Sequence, residues 1–128
     1  MKSFFVVLAV ASLYGCGGSG GGGTTAPPSQ NTNTPPPVGG ISVDNNSFSP
    51  SAKTVAVGTT VQWAWNSCTG DPYYGGTTCT AHSVTFDDGS GSATQDHGSF
   101  SKLFNTAGTF NYHCSVHGAA MTGTITVQ

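Results

Sequence analysis

Charge is what this sequence has least of. Only 6% of its 128 residues are charged, and Lys and Arg together number 3. Three cations cannot make the basic stripe that a nucleic-acid surface needs, which excludes nucleic acid as a partner. The formal net charge of −2 gives no strong steering field either. Helical periodicity is missing as well: no long stretch repeats apolar residues at three- and four-residue spacing. The one long apolar run, Phe4 to Leu13, falls short of the roughly 20 residues that a membrane-spanning helix requires. No nucleophile–base pair and no carboxylate dyad stands in a workable place, so the pattern argues against an enzyme. Low charge does not mean disorder here, because aromatic and β-branched residues are plentiful from Ile41 onward.

The chain opens on "MKSFFVVLAVASLYGCGG": one Lys, an apolar run, then small residues, the layout of a secretory signal. The segment "LYGC" resembles the lipobox of bacterial lipoproteins, which implies removal of residues 1–15 and lipidation of Cys16. Gly17, rather than Asp, follows that Cys; by the same resemblance this favours the outer membrane of a two-membrane cell, with the protein on the periplasmic or extracellular side. Residues 16–40 have nothing to bury. They are Gly-rich and flexible first, then Pro-rich and stiffer, and predict a disordered tether that reaches at most roughly 80 Å.

The folded part is expected over Ile41 to Gln128. Short strand patterns follow one another there: "ISVD", "KTVAV", "TTVQWAW", "HSVTFD", "FSKLF", "GTFNYHC" and "GTITVQ", with Gly and Asn between them. Such a series predicts an all-β fold, a Greek-key antiparallel β-sandwich. Alternation assigns faces. Phe110, Tyr112 and Cys114 share one face, as do Val61, Trp63 and Trp65, His82, Val84 and Phe86, and Met121, Gly123, Ile125 and Val127. Cys114, His82 and Met121 thus each extend an apolar row.

Of the 4 cysteines, lipidation would use Cys16. In an oxidising compartment two of the remaining three should pair. Cys68 and Cys79 bracket the turn-rich loop "CTGDPYYGGTTC", and closing that ring would stabilise by roughly 3 kcal/mol. Pairing of Cys114 with either loop cysteine is the other arrangement. If Cys68 and Cys79 pair, Cys114 is a free thiol in an exported protein, a liability unless a metal occupies it.

Near the C-terminus, "YHCSVHGAAM" gathers Cys114, His117 and Met121 in one loop, and His82 opens an earlier strand. One thiolate, two imidazoles and a weak axial thioether are the ligand types of a blue-copper site. Cu(I) prefers soft, low-coordinate donors and Cu(II) prefers nitrogen. A site between the two preferences changes little when an electron moves.

The segments "FSP" (Phe48 to Pro50), "VAVGTTVQWAWN" (Val55 to Asn66), "HSVTF" (His82 to Phe86) and "GTFNYHCSVHGAAMTGTITV" (Gly108 to Val127) resemble the cupredoxins, the plastocyanin, azurin and amicyanin family. The resemblance spans nearly all of the folded part. It implies one type 1 copper held by His82, Cys114, His117 and Met121, with Ser83 and Asn66 supporting the ligands. It also implies exit of the electron at the surface patch of His117, Gly118, Ala119 and Ala120. Three departures bear on it. The spacer between His117 and Met121 is "GAA", where amicyanin-like members have two residues and plastocyanin-like members four. Ser83 stands where the family often has Asn bonding across to the Cys loop. The insertion "NSCTGDPYYGGTTCTA" precedes His82 and either covers the copper end or offers Tyr73 and Tyr74 for docking.

Alternation turns His113 away from the ligands, and His97 falls in a turn-rich stretch. Asp87 and Asp88 read as a turn after a strand, and Trp63 and Trp65 as core. The expected function is a membrane-tethered, monomeric one-electron carrier. Its transient partners would be redox proteins, such as a c-type cytochrome or a membrane oxidoreductase. The alternative is an exported copper-binding protein for sequestration or delivery.

Overall fold

The computed structural model describes residues 33–71 and 73–128. The signal-like segment, Cys16 and the tether up to residue 32 lie outside the described residues.

Among the described residues ten strands run in chain order: β1 (Ile41–Asp44), β2 (Ser47–Ser49), β3 (Ala52–Val55), β4 (Thr59–Trp65), β5 (Cys68–Gly70), β6 (Thr77–Cys79), β7 (Thr85–Phe86), β8 (Ser99–Phe104), β9 (Gly108–Cys114) and β10 (Gly118–Val127). They form two four-stranded sheets, ordered β2-β1-β4-β8 and β3-β10-β9-β7, and a separate two-stranded hairpin, β5-β6. The expected sandwich is therefore present. Most ladders are antiparallel, but β1 runs parallel to β4 and β3 parallel to β10. Those pairings arise because β3 lies in the second sheet while β4 returns to the first beside β1. Local alternation reports which face a residue takes, not which edge its strand will find.

The strand patterns expected for β1, β4 and β9 match the observed limits. The stretch expected to pair from His82 shrinks to Thr85–Phe86, with His82 making only an isolated bridge to Gln95. The reason is local: the Ser83 amide donates to the Cys114 sulfur at 3.4 Å, and the Val84 amide to Ser92 Oγ at 2.9 Å. With both donors spent on side chains, no ladder can form there. Short β2, β5 and β6 carry too few residues to show a period.

Aromatic rings join the two sheets. Trp63 on β4 packs edge-on against Phe86 of β7 at 5.8 Å and Tyr112 of β9 at 5.4 Å, and Phe48 of β2 meets Tyr112 at 4.8 Å. Around them Ile41, Val43, Val61, Trp65, Val84, Phe104, Ile125 and Val127 are buried. The alternating rows read from β4, β9 and β10 are thus the two walls of one core. Gly123 faces Tyr112 across the ladder, and a Cβ there would stand 2.2 Å from the Tyr112 ring. That close approach needs a residue without a side chain.

The stretch before β1 is bound to the domain earlier than its composition suggests. Asn33 donates through Nδ2 to the Cys68 carbonyl (3.1 Å) and accepts the Cys68 amide on Oδ1 (3.0 Å), and the Thr34 amide donates to the Trp65 carbonyl (2.8 Å). The last part of the expected tether therefore lies along the sandwich.

Gly123→Ala is expected to destabilise the domain by about 1–3 kcal/mol, because the buried Tyr112 ring must shift. Gly70→Ala, with open space around its Cβ, should change stability by less than about 0.5 kcal/mol. Denaturant midpoints of the two variants check this.

Candidate metal centre

Cys114 ends β9 on its inward face and is fully buried. Two tight turns follow. The His117 amide donates to the Cys114 carbonyl and the Ala120 amide to the His117 carbonyl, both at 3.2 Å. Gly118 between them has φ +55°, a left-handed conformation that glycine adopts without strain. The β9–β10 ladder then slips. Gly118 pairs with Cys114, but the next pair is Thr122 with His113, so Ala119, Ala120 and Met121 form a bulge on β10. This is how a three-residue spacer is accommodated: the bulge absorbs "GAA" and returns Met121 to the core at 1% exposure.

His82 comes from the other side. Its backbone exchanges both hydrogen bonds with Gln95 (2.9 and 3.0 Å), and its carbonyl accepts the Trp65 indole N–H at 3.1 Å. The ring is fully buried, at 0% exposure. Burial, and secondarily the positive charge that His117 can carry, holds its pKa below the ordinary imidazole value.

The donor atoms converge. His82 Nδ1 lies 3.2 Å from His117 Nδ1 and 3.7 Å from Cys114 Sγ, and His117 Nδ1 lies 3.5 Å from that sulfur. A point in the plane of that triangle sits about 2 Å from all three atoms, close to the bond lengths that imidazole nitrogen and thiolate sulfur make to a metal ion. Two imidazoles and a Cys sulfur at that spacing would suit one copper, and Met121, buried on the adjoining strand β10, would add a soft thioether.

Ser83 ties the two ligand segments together. Its amide points at the Cys114 sulfur, and its Oγ accepts the Ser115 amide at 2.8 Å while sharing hydroxyl contacts with Ser115 Oγ (2.8 Å) and Thr85 Oγ1 (3.1 Å). The N–H directed at sulfur stabilises the thiolate, and the Oγ holds the turn after Cys114 in place. Asn66 does not join this support. It is exposed, and its amide donates to Asp44 Oδ1 at 3.2 Å instead. The residue before it, Trp65, is the one that reaches His82. Nothing in its row of apolar neighbours distinguished that indole N–H from ordinary core.

Among the four candidate ligands, His117 alone is partly open to solvent, beside half-buried Gly118 and exposed Ala119 and Ala120. His113 lies on the outer side of β9, paired with Thr85 and Thr122. There it lines a groove of about 480 Å³ with Asp87, Asn111 and Thr124, on the opposite side of the strand from the thiolate. The His97 ring contacts the Asp96 carboxylate on the surface. Asp88 caps its own turn through Ser90. Cys68 and Cys79 are disulfide-bonded and Cys114 is free and buried.

A β-sandwich that brings two imidazoles and one cysteine sulfur into a triangle, with a methionine on the adjoining strand, has the make-up of a blue-copper protein. Residues 39–128 match the family model "Copper binding proteins, plastocyanin/azurin family". The chain is 37% identical over 95 residues to plastocyanin of Scenedesmus fuscus, covering 63% of this chain and 86% of that one. Among solved structures, oxidised plastocyanin of Dryopteris crassirhizoma superposes with TM-score 0.53 and 25% identity, over 70% of this chain and 99% of that chain. An oxidised amicyanin mutant superposes with TM-score 0.56 and 22% identity, over 70% and 80% respectively. The chain belongs to the plastocyanin/azurin family of copper-binding proteins, the cupredoxins.

Two expectations follow. In the metal-free protein the unfolded chain takes up a proton on His82 near the ordinary value of about 6.5, while the folded state resists it. Stability is therefore fully present above that pH and declines as pH falls toward the lower value of the folded state. Unfolding of apo protein between pH 7.5 and 5 should show this decline, flattened in His82→Gln. Ser83→Ala should cost about 1–2 kcal/mol by leaving the Ser115 amide unpaired. It should keep the visible copper absorption, because the backbone N–H to sulfur remains. Denaturant titration and absorbance of the loaded variant test both halves.

Proposed function

We propose that the protein is a one-electron carrier with a type 1 copper, tethered to a membrane on the exported side and exchanging electrons with redox proteins. The observation that carries this reading is the donor triangle: His82 Nδ1, His117 Nδ1 and Cys114 Sγ converge on a point about 2 Å from each atom. When bound, the copper supplies the single-electron change between Cu(I) and Cu(II).

The chain's own part is to keep donor positions the same in both states. His82 is clamped by Gln95 and Trp65, and Cys114 by its ladder and by Ser83. His117 is held by the two turns. Rigid donors leave little to reorganise when charge changes, which favours fast transfer. Burial of His82, Cys114 and Met121 excludes water and competing ligands, while the His117 edge offers a short path to the surface. With His82, Cys114, His117 and Met121 as ligands, four side chains would hold the copper and leave no position for a substrate, so the reading is transfer rather than catalysis. Exchange through a small contact at Ala119 and Ala120 suits a weak, transient partner such as a c-type cytochrome or a membrane oxidoreductase. The membrane tether is supported by the signal-like N-terminus, the "LYGC" segment and the long Gly/Pro-rich stretch after it.

Copper-loaded protein should show an intense visible sulfur-to-copper band and the narrow hyperfine splitting of type 1 copper in paramagnetic resonance. Cys114→Ser should lose both. Electron exchange with a c-type cytochrome, faster than release of copper to a chelator, would separate carrying electrons from delivering metal. A loaded protein without the band would overturn the reading.

A further inference from the structure

We propose that the disulfide-closed hairpin β5–β6 is a docking arm for a redox protein whose electron-transfer face is ringed by basic residues, which it meets through Tyr73 and Tyr74. The proposal rests on the electron-carrier reading above and adds the part of the surface that selects the partner.

The hairpin belongs to neither sheet of the sandwich. It is nevertheless firmly rooted. The Cys68–Cys79 disulfide closes it, the Ser67 hydroxyl donates to the Thr80 carbonyl at 2.7 Å, and the Thr80 amide returns a bond to the Ser67 carbonyl at 3.1 Å. Asn33 adds its two bonds to the Cys68 backbone. At the tip, the Asp71 amide donates to the Gly76 carbonyl (2.6 Å), and Asp71 Oδ1 accepts the amides of Tyr73 (2.7 Å) and Tyr74 (3.0 Å). The result is a braced turn that presents two adjacent tyrosines, each 90% exposed. Neither ring contributes to the core. Tyrosines offer large amphipathic contact area at low entropic cost, which is what a binding surface uses.

Position connects the arm to the copper site. The hairpin leaves the sandwich just after Trp65, whose indole holds the His82 carbonyl, and rejoins it just before His82 itself. It therefore springs from the metal-bearing end, where the exposed Ala119 and Ala120 flank His117.

Charge selects the partner. At this end lie Asp71 on the arm, Asp96 at its base, where the Asp96 carbonyl is 3.8 Å from Cys68 Sγ, and Asp44, bonded to Asn66. Asp96 is contacted by the His97 ring. The two described lysines are elsewhere. Lys53 pairs with Ile125 on the β3–β10 side, and Lys102 lies midway along β8 with its ammonium on Ser90 Oγ. Among the described residues the copper end thus carries carboxylates and neither lysine, a local imbalance that favours contact with a cationic face over an acidic one even though the net charge is small.

The test uses the copper-loaded full chain, a c-type cytochrome with a lysine-ringed haem edge, and hexacyanoferrate(III) as a small anionic oxidant that needs no arm. Tyr73→Ser/Tyr74→Ser should lower the second-order rate with the cytochrome at least about threefold. The visible band, the potential and the hexacyanoferrate rate should stay unchanged. Asp71→Asn/Asp96→Asn keeps the turn's acceptor oxygen and should flatten the fall of the cytochrome rate with salt. Unchanged cytochrome rate and salt dependence in both variants would overturn the proposal while leaving the carrier reading intact. So would a tyrosine-dependent self-association or vesicle binding without any effect on the cytochrome rate. Wild-type protein that lacks the band, or exchanges no electron with hexacyanoferrate, would overturn the carrier reading and this proposal with it.

Discussion

Two imidazole nitrogens stand 3.2 Å apart, each within 3.7 Å of the Cys114 sulfur, three donors from two distant segments gathered at one end of the sandwich. Desolvation disfavours charge on His82, and His117 disfavours it further. The sandwich holds the triangle, and much of the local structure follows from that demand. The strand that should have begun at His82 gives up its ladder so that the Ser83 amide can face sulfur. The β9–β10 ladder slips by a bulge so that the turn after Cys114 can bring His117 back and still return Met121 to the interior. These irregularities sit where the site is, and regular pairing resumes beyond them on both strands.

The work of holding the triangle falls to the core. Trp63, Tyr112, Phe86 and Phe48 lock the two sheets face to face, and Tyr112 lies two residues before Cys114 on the same inward row. Close packing makes displacement of that ring costly, which fixes the sulfur relative to β4 and to Trp65. Trp65 in turn grips the His82 carbonyl. The two ligand-bearing segments are thus connected through both the packing and the Ser83 bridge. A carrier needs this, because donors that relax on loss of an electron slow its transfer.

Parts of the fold were legible in the residues because each depended on nothing but its own periodicity. The alternation of Val61, Trp63 and Trp65, and of Tyr112 and Cys114, placed β4 and β9 and their buried faces correctly. The cysteine spacing brought out the Cys68–Cys79 bond. Other features were not legible. The parallel pairing of β1 with β4 depends on where β3 crosses, and Asn66 found Asp44 rather than the site because the chain turns away after Trp65. Asn33 and Thr34 sit in a Pro-rich stretch with no apolar periodicity to announce contact, yet polar bonds to Cys68 and Trp65 dock them.

What the sequence by itself determined is the donor inventory and its likeness to one family: two imidazoles, a thiol and a thioether, three of them in one loop, because ligand chemistry is a property of residue type. Which nitrogens converge on the sulfur, how far apart the donors stand, which candidate ligand meets solvent and which indole and hydroxyl hold them in place were decided only by the tertiary structure. These are distances between segments far apart in the chain, and only the packing of two sheets on one another sets such distances.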